Sequence, residues 1–99
     1  MKTLPNQIKA IVSAPISREE VAEKLTDLLH KEGLLHHALA LDYNYHTNSF
    51  IVVEIEWLEG KIQGSWFLPT FGFDPLMIIS RCEMATKLYA QYYEACMNI

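Results

Sequence analysis

Between residues 39 and 68 the chain alternates apolar and polar positions with a period of two. Leu39, Leu41, Tyr43 and Tyr45 share one parity, as do Ile51, Val53, Ile55 and Trp57. After Glu59-Gly60 the apolar parity switches to Ile62, Trp66 and Leu68. Alternation of this kind describes strands with one buried face. It predicts a three-stranded antiparallel meander over about residues 37–68. Glu59-Gly60 reads as a two-residue hairpin loop, setting Trp57 opposite Ile62 and Val53 opposite Trp66. The first hairpin needs an odd loop if Leu41 is to avoid sharing a face with Glu54. A three-residue loop over 46–48, with Asn48 at positive φ, meets that need.

A different period flanks the meander. Ser17-Arg18-Glu19-Glu20 is a capping box, with serine at the N-cap and glutamate three residues later. Val21, Leu25, Leu28 and Leu29 form one stripe behind it, and Gly33 is a left-handed stop, so a helix is expected over 18–32. Within residues 1–16, Ile8, Ile11 and Val12 are spaced like one helical face. A short helix over 5–13 is preferred there, with a strand through Ile11-Val12 as the alternative. Asp74-Pro75 is a strong helix start, and a last helix is expected over 75–97. It is apolar nearly all round, from Leu76 to Cys96, as a helix buried on several sides would be. The fold class is thus α+β: a three-stranded meander packed on one face by helices, in the order α-α-β-β-β-α, within a single domain 1–99.

Composition narrows the function. The chain has 99 residues, 51% hydrophobic, with 8 basic and 12 acidic residues and a formal charge of −4. The basic residues are scattered, so no strip suits a phosphate backbone, and no nucleic-acid partner is expected. No apolar run reaches the ~20 residues of a membrane span, and Lys2 is not followed by a signal-like apolar region, so no membrane partner is expected. Cys82 and Cys96 fall in one predicted helix about 21 Å apart. They cannot bridge each other there, and two free thiols suit a cytoplasmic location.

Candidate chemistry is sparse. His30, His36, His37 and His46 lack metal-ligand spacing: His36 and His37 point to opposite faces, and His46 lies about 30 Å along an extended strand. Asp42, Glu54 and Glu56 share the non-core face of the predicted sheet and read as a solvated face. There is no nucleophile elbow and no phosphate-binding loop. No cofactor and no catalytic residues are expected.

Helix–three-strand–helix order over residues 18–97 resembles the double-stranded-RNA-binding domain in topology. That family opens its second helix with a basic cluster; here the stretch is Asp74-Pro75-Leu76-Met77-Ile78, with no base before Arg81. Small size, mild acidity, an apolar last helix and a one-sided sheet resemble the type III secretion chaperones, without that family's additional strands and helix.

The sharper signal is an apolar surplus. Trp66-Phe67-Leu68-Pro69-Thr70-Phe71-Gly72-Phe73 is too aromatic for an ordinary loop. Phe50, Val52, Leu58 and Phe67 fall on the face predicted to point away from the core. Met77, Met84, Tyr89, Tyr92 and Tyr93 exceed what one sheet can cover. Such surface marks an interface. The expected function is a non-catalytic protein-binding module of the immunity-protein, inhibitor or secretion-chaperone kind, acting as a homodimer. Glu54, Glu56, Phe67, Phe71, Phe73 and Tyr93 are its candidate contacts. The alternative is a small-molecule-binding or enzymatic domain, its pocket between sheet and last helix, lined by Trp57, Trp66, Tyr43 and Tyr89 with Asp42 or a histidine as polar group.

Overall fold

The computed structural model describes residues 3–61, 68–69 and 72–97. Among the described residues, four helices and two antiparallel strands form a mixed α+β unit: α1 (Leu4–Val12), α2 (Arg18–Lys31), β1 (Leu39–Asn44), β2 (Ser49–Glu54), α3 (Ile55–Leu58) and α4 (Pro75–Met97).

The long helices lie where spacing and caps place them. Residues 4–12 take the helical alternative, with the Thr3 hydroxyl accepting from the Asn6 N–H. Ser17 Oγ accepts the Glu20 N–H at 3.1 Å and opens α2. Gly33, at φ +72°, closes it: the Leu34 N–H reaches back to the Leu29 carbonyl at 3.0 Å. Asp74 Oδ1 accepts the Leu76 N–H at 3.0 Å at the start of α4.

The three-stranded meander is not formed. β2 stops at Glu54, and residues 55–58 wind into a single helical turn, α3. The Glu59 N–H bonds to the Ile55 carbonyl at 2.9 Å, and Gly60 takes φ +74° after the turn. Glu59-Gly60 thus ends a helical turn instead of joining two strands; a left-handed glycine serves either purpose. Among the described residues, a two-residue extended pair, Leu68–Pro69, lies beside β2, with Val52 facing Leu68 and Ile51 facing Pro69. Trp66, expected opposite Val53, is outside the described residues. The two resemblances lose the three-strand frame on which they stood.

The first hairpin also departs from expectation. Asn44 pairs with Ser49, leaving Tyr45-His46-Thr47-Asn48 as an even, four-residue loop. Asn48 does adopt positive φ, at 52°. The even loop pairs Leu41 with Val52, Tyr43 with Phe50, and Leu39 with Glu54. Phe50 and Val52, expected on the outer face, are therefore fully buried in the core with Leu39 and Leu41. Residues 50–53 are apolar on both parities, so the alternation alone has no preferred phase. Glu54 is tolerated on the core side because it ends the strand and stays half-exposed.

α2 and α4 cover this inner face. Val21, Leu25 and Leu29 of α2, Ile8 of α1, and Ile78, Cys82 and Ala85 of α4 complete one core. α2 also seals the free edge of β1. Thr26 Oγ1 accepts the Leu41 N–H at 2.9 Å while donating to the Ala22 carbonyl at 2.7 Å. One turn further on, His30 Nε2 lies 2.7 Å from the Leu39 carbonyl. A four-residue helical step and a two-residue strand step span nearly the same distance, about 6–7 Å, so one helix face satisfies two successive edge groups.

Candidate functional site

Three surfaces stand out. The first is behind the hairpin. Asp42 and Ile51 are cross-strand partners on the face opposite Leu41 and Val52. With Trp57 from α3 and Tyr43 and Tyr45 from the hairpin they line a cavity of about 480 Å³. Asn44 and His46 complete its lining, and the Asn44 carboxamide oxygen is already engaged by the His46 N–H at 2.8 Å. The rings of Tyr43 and Tyr45 themselves turn to the helix side of the hairpin. Tyr45 donates a short hydrogen bond from its hydroxyl to Glu19, and its ring meets Tyr43 edge-on at 4.7 Å. That bond lowers the Glu19 pKa and raises that of Tyr45. The side chain of Asp42 is half-exposed and its carboxylate has no hydrogen-bond or ion-pair partner among the described residues. Phe73 is not on this surface. It lies inward, stacked 6.2 Å from Tyr43 and edge-on to Phe50 at 5.5 Å, with the Arg18 guanidinium 4.4 Å above its ring.

The second surface is the outer side of α4. Leu76, Ser80, Met84, Leu88 and Tyr92 follow one another at intervals of four, the spacing of a helix ridge. The four apolar members are 65%, 44%, 44% and 55% exposed. Its inner row, Ile78, Cys82 and Ala85, is buried. Burial pushes the Cys82 thiol up to about 12, which leaves it a neutral packing group.

The third surface joins the end of β2 to α4. Glu54, Glu56 and Lys61 share a cavity of about 320 Å³ with His37 and Tyr89; Ala38, Ile55 and Glu59 also line it. Lys61 is held by Glu59 in an exposed ion pair. Beside the cavity, His36 stacks on His37 at 4.3 Å and tilts against Tyr89 at 4.7 Å. His36 Nδ1 accepts the Ala38 N–H at 3.0 Å, which places a neutral ring's proton on Nε2. Its backbone N–H donates to Thr86 Oγ1 of α4 at 2.9 Å. Desolvation, then the charges of His37 and His30, hold the His36 pKa below its ordinary value.

Of the candidate contacts read from sequence, Glu54 and Glu56 come together in this third cavity and Phe73 lies half-buried against the core. Phe67 and Phe71 lie outside the described residues, as does the side chain of Tyr93. The pocket anticipated between sheet and last helix is divided: Tyr43, Asp42 and Trp57 line the rear cavity, while Tyr89 lines the one at the end of β2. Sequence reasoning missed the rear cavity because it held Ile51 and Trp57 to be core positions.

Among the described residues no three His, Cys, Asp or Glu side chains converge as a metal site, and no helix is long and apolar enough to cross a membrane. No protein-family model, no curated protein and no solved structure matches the chain.

Proposed function

We propose that this chain is a small non-catalytic protein-binding module that works as a homodimer and holds or blocks a second protein, in the manner of an inhibitor, an immunity protein or a secretion chaperone. The cytoplasm, where Cys82 stays a thiol, is the compartment this reading assigns. One observation carries it: the exposed row Leu76, Met84, Leu88 and Tyr92 along a helix of 23 residues. A helix of that length is about 35 Å long, so the row presents an extended apolar ridge. Two such ridges related by a two-fold axis bury each other. The test is solution mass by light scattering over a dilution series, with Met84→Glu and Leu88→Glu beside the wild type. The expected result is twice the 11.4 kDa chain mass for the wild type and a single chain mass for both variants. A wild type that stays monomeric at every concentration overturns the self-association.

A further inference from the structure

We propose that the exposed ridge of α4 receives the same helix of a second copy running antiparallel, with the two-fold axis at Met84 and with Glu83 of each copy paired to Lys87 of the other. The proposal rests on the reading of the chain as a homodimer and names the register of its interface. Shape sets the first constraint. The ridge residues Leu76, Ser80, Met84, Leu88 and Tyr92 are spaced evenly about Met84, and Ser80 is the one small residue among them. A two-fold axis at Met84 that reverses the helix direction sets Ser80 of each copy against Leu88 of the other, and Leu76 against Tyr92. Small then faces large on both sides of the axis. An axis that keeps the helices parallel sets Ser80 against Ser80 and Leu88 against Leu88, a gap at one level and crowding at the next.

Charge sets the second. Glu83 and Lys87 stand one position before Met84 and Leu88, on the same flank of the ridge, and both are exposed. They are one turn apart, the spacing of an ion pair within a helix, yet neither has a hydrogen-bond or ion-pair partner among the described residues. In an antiparallel pair, one flank of each helix lies beside the same flank of its mate. Glu83 of each copy then meets Lys87 of the other, and the axis makes the contact twice. A parallel pair sets each flank against the opposite one, so Glu83 and Lys87 do not meet. Arg81, the third described charge of α4, is half-buried on that opposite flank and leaves the pairing undisturbed. Charges paired across a helix seam in this way fix orientation more than they add affinity.

The test measures the dimer dissociation constant by sedimentation equilibrium at low and at high salt. The wild-type dimer is expected to weaken as salt rises. Glu83→Lys and Lys87→Glu each turn two attractive contacts into two repulsive ones, and each is expected to weaken the dimer by about tenfold. The double variant Glu83→Lys/Lys87→Glu restores both contacts and is expected to dimerise like the wild type. The two single variants mixed are expected to associate with each other, since one then carries both lysines and the other both glutamates. Glu23→Lys and Lys24→Glu, on the exposed face of α2, change the net charge by the same amounts and are expected to leave the dimer unchanged. Thermal melts show that each variant is folded, and Glu83→Gln or Lys87→Gln replaces any that is not. Single variants that dimerise as tightly as the wild type, or a double variant as weak as the singles, overturn the register. A wild-type dimer that Met84→Glu breaks and neither charge reversal weakens keeps the homodimer and rejects the antiparallel pairing. A wild type monomeric at every concentration removes both.

Discussion

α2 and α4 lie on the same side of one hairpin and use their apolar residues differently. α2 buries Val21, Ala22, Leu25, Thr26 and Leu29, while Glu19, Glu20, Glu23, Lys24, Asp27 and Lys31 face water. α4 buries Ile78, Cys82 and Ala85 but leaves Leu76, Met84, Leu88 and Tyr92 exposed. α2 is held at the strand edge by two side-chain bonds, from Thr26 and His30. α4 is tied to the 34–38 segment through Thr86 and the Tyr89–His36 contact, near its own middle. One helix is spent on the fold, and the other carries apolar surface that the fold does not use. Stability and association should therefore separate by position.

The largest expected effect is on the core that both helices cover. Phe50→Ala removes a fully buried ring that contacts Tyr43 and Phe73, and is expected to cost about 3–5 kcal/mol in urea denaturation. Leu88→Ala on the outer row should stay within about 0.5 kcal/mol for the monomer. Comparable losses from the two would end the contrast between the rows of α4. Next is the strand edge. Thr26→Val keeps the shape and leaves the buried Leu41 N–H without its acceptor, an expected loss of about 1–3 kcal/mol. Thr26→Ser retains the hydroxyl and should recover most of it. A Thr26→Val protein as stable as the wild type would remove the claim that α2 seals β1.

The smallest effect sharpens the other tie. The folded-state pKa of His36 lies below the ordinary 6.5, so the unfolded chain binds its proton first. Its contribution to stability is complete above that value and declines as pH falls through it, because protonation of Nδ1 removes the acceptor for Ala38. The melting temperature should fall between pH 7.5 and pH 5.5, and fall less in His36→Asn. Glu19, with its pKa below the ordinary 4.5, acts in the same sense but only at lower pH. Equal pH dependence in wild type and His36→Asn would show that this contact does not titrate with folding.

The helices were legible because their signals are local and redundant. The capping box at Ser17–Glu20, the glycine stop at Gly33 and the Asp74-Pro75 start each name a backbone conformation over a few residues. The sheet was not. Phe50-Ile51-Val52-Val53 is apolar on both parities, and a one-residue change in the hairpin loop inverts every side chain of β2. That inversion brought Phe50 and Val52 inward and put Ile51 beside Trp57 on the rear cavity. Glu54-Ile55-Glu56-Trp57-Leu58 fits a strand and a helical turn equally well by spacing. Glu54 and Glu56, read as part of a solvated face, are half-exposed and exposed, and the structure adds that they line a cavity with His37 and Tyr89.

By itself, then, the sequence determined the helices, their caps and the excess of apolar residues on α4, since each follows from contacts within a turn or two of chain. Tertiary structure alone decided the phase of β2, the helical turn after it and the cavity between them. Those depend on which of two nearly equivalent faces the helices cover, a choice made by long-range packing and recorded in no short stretch of sequence.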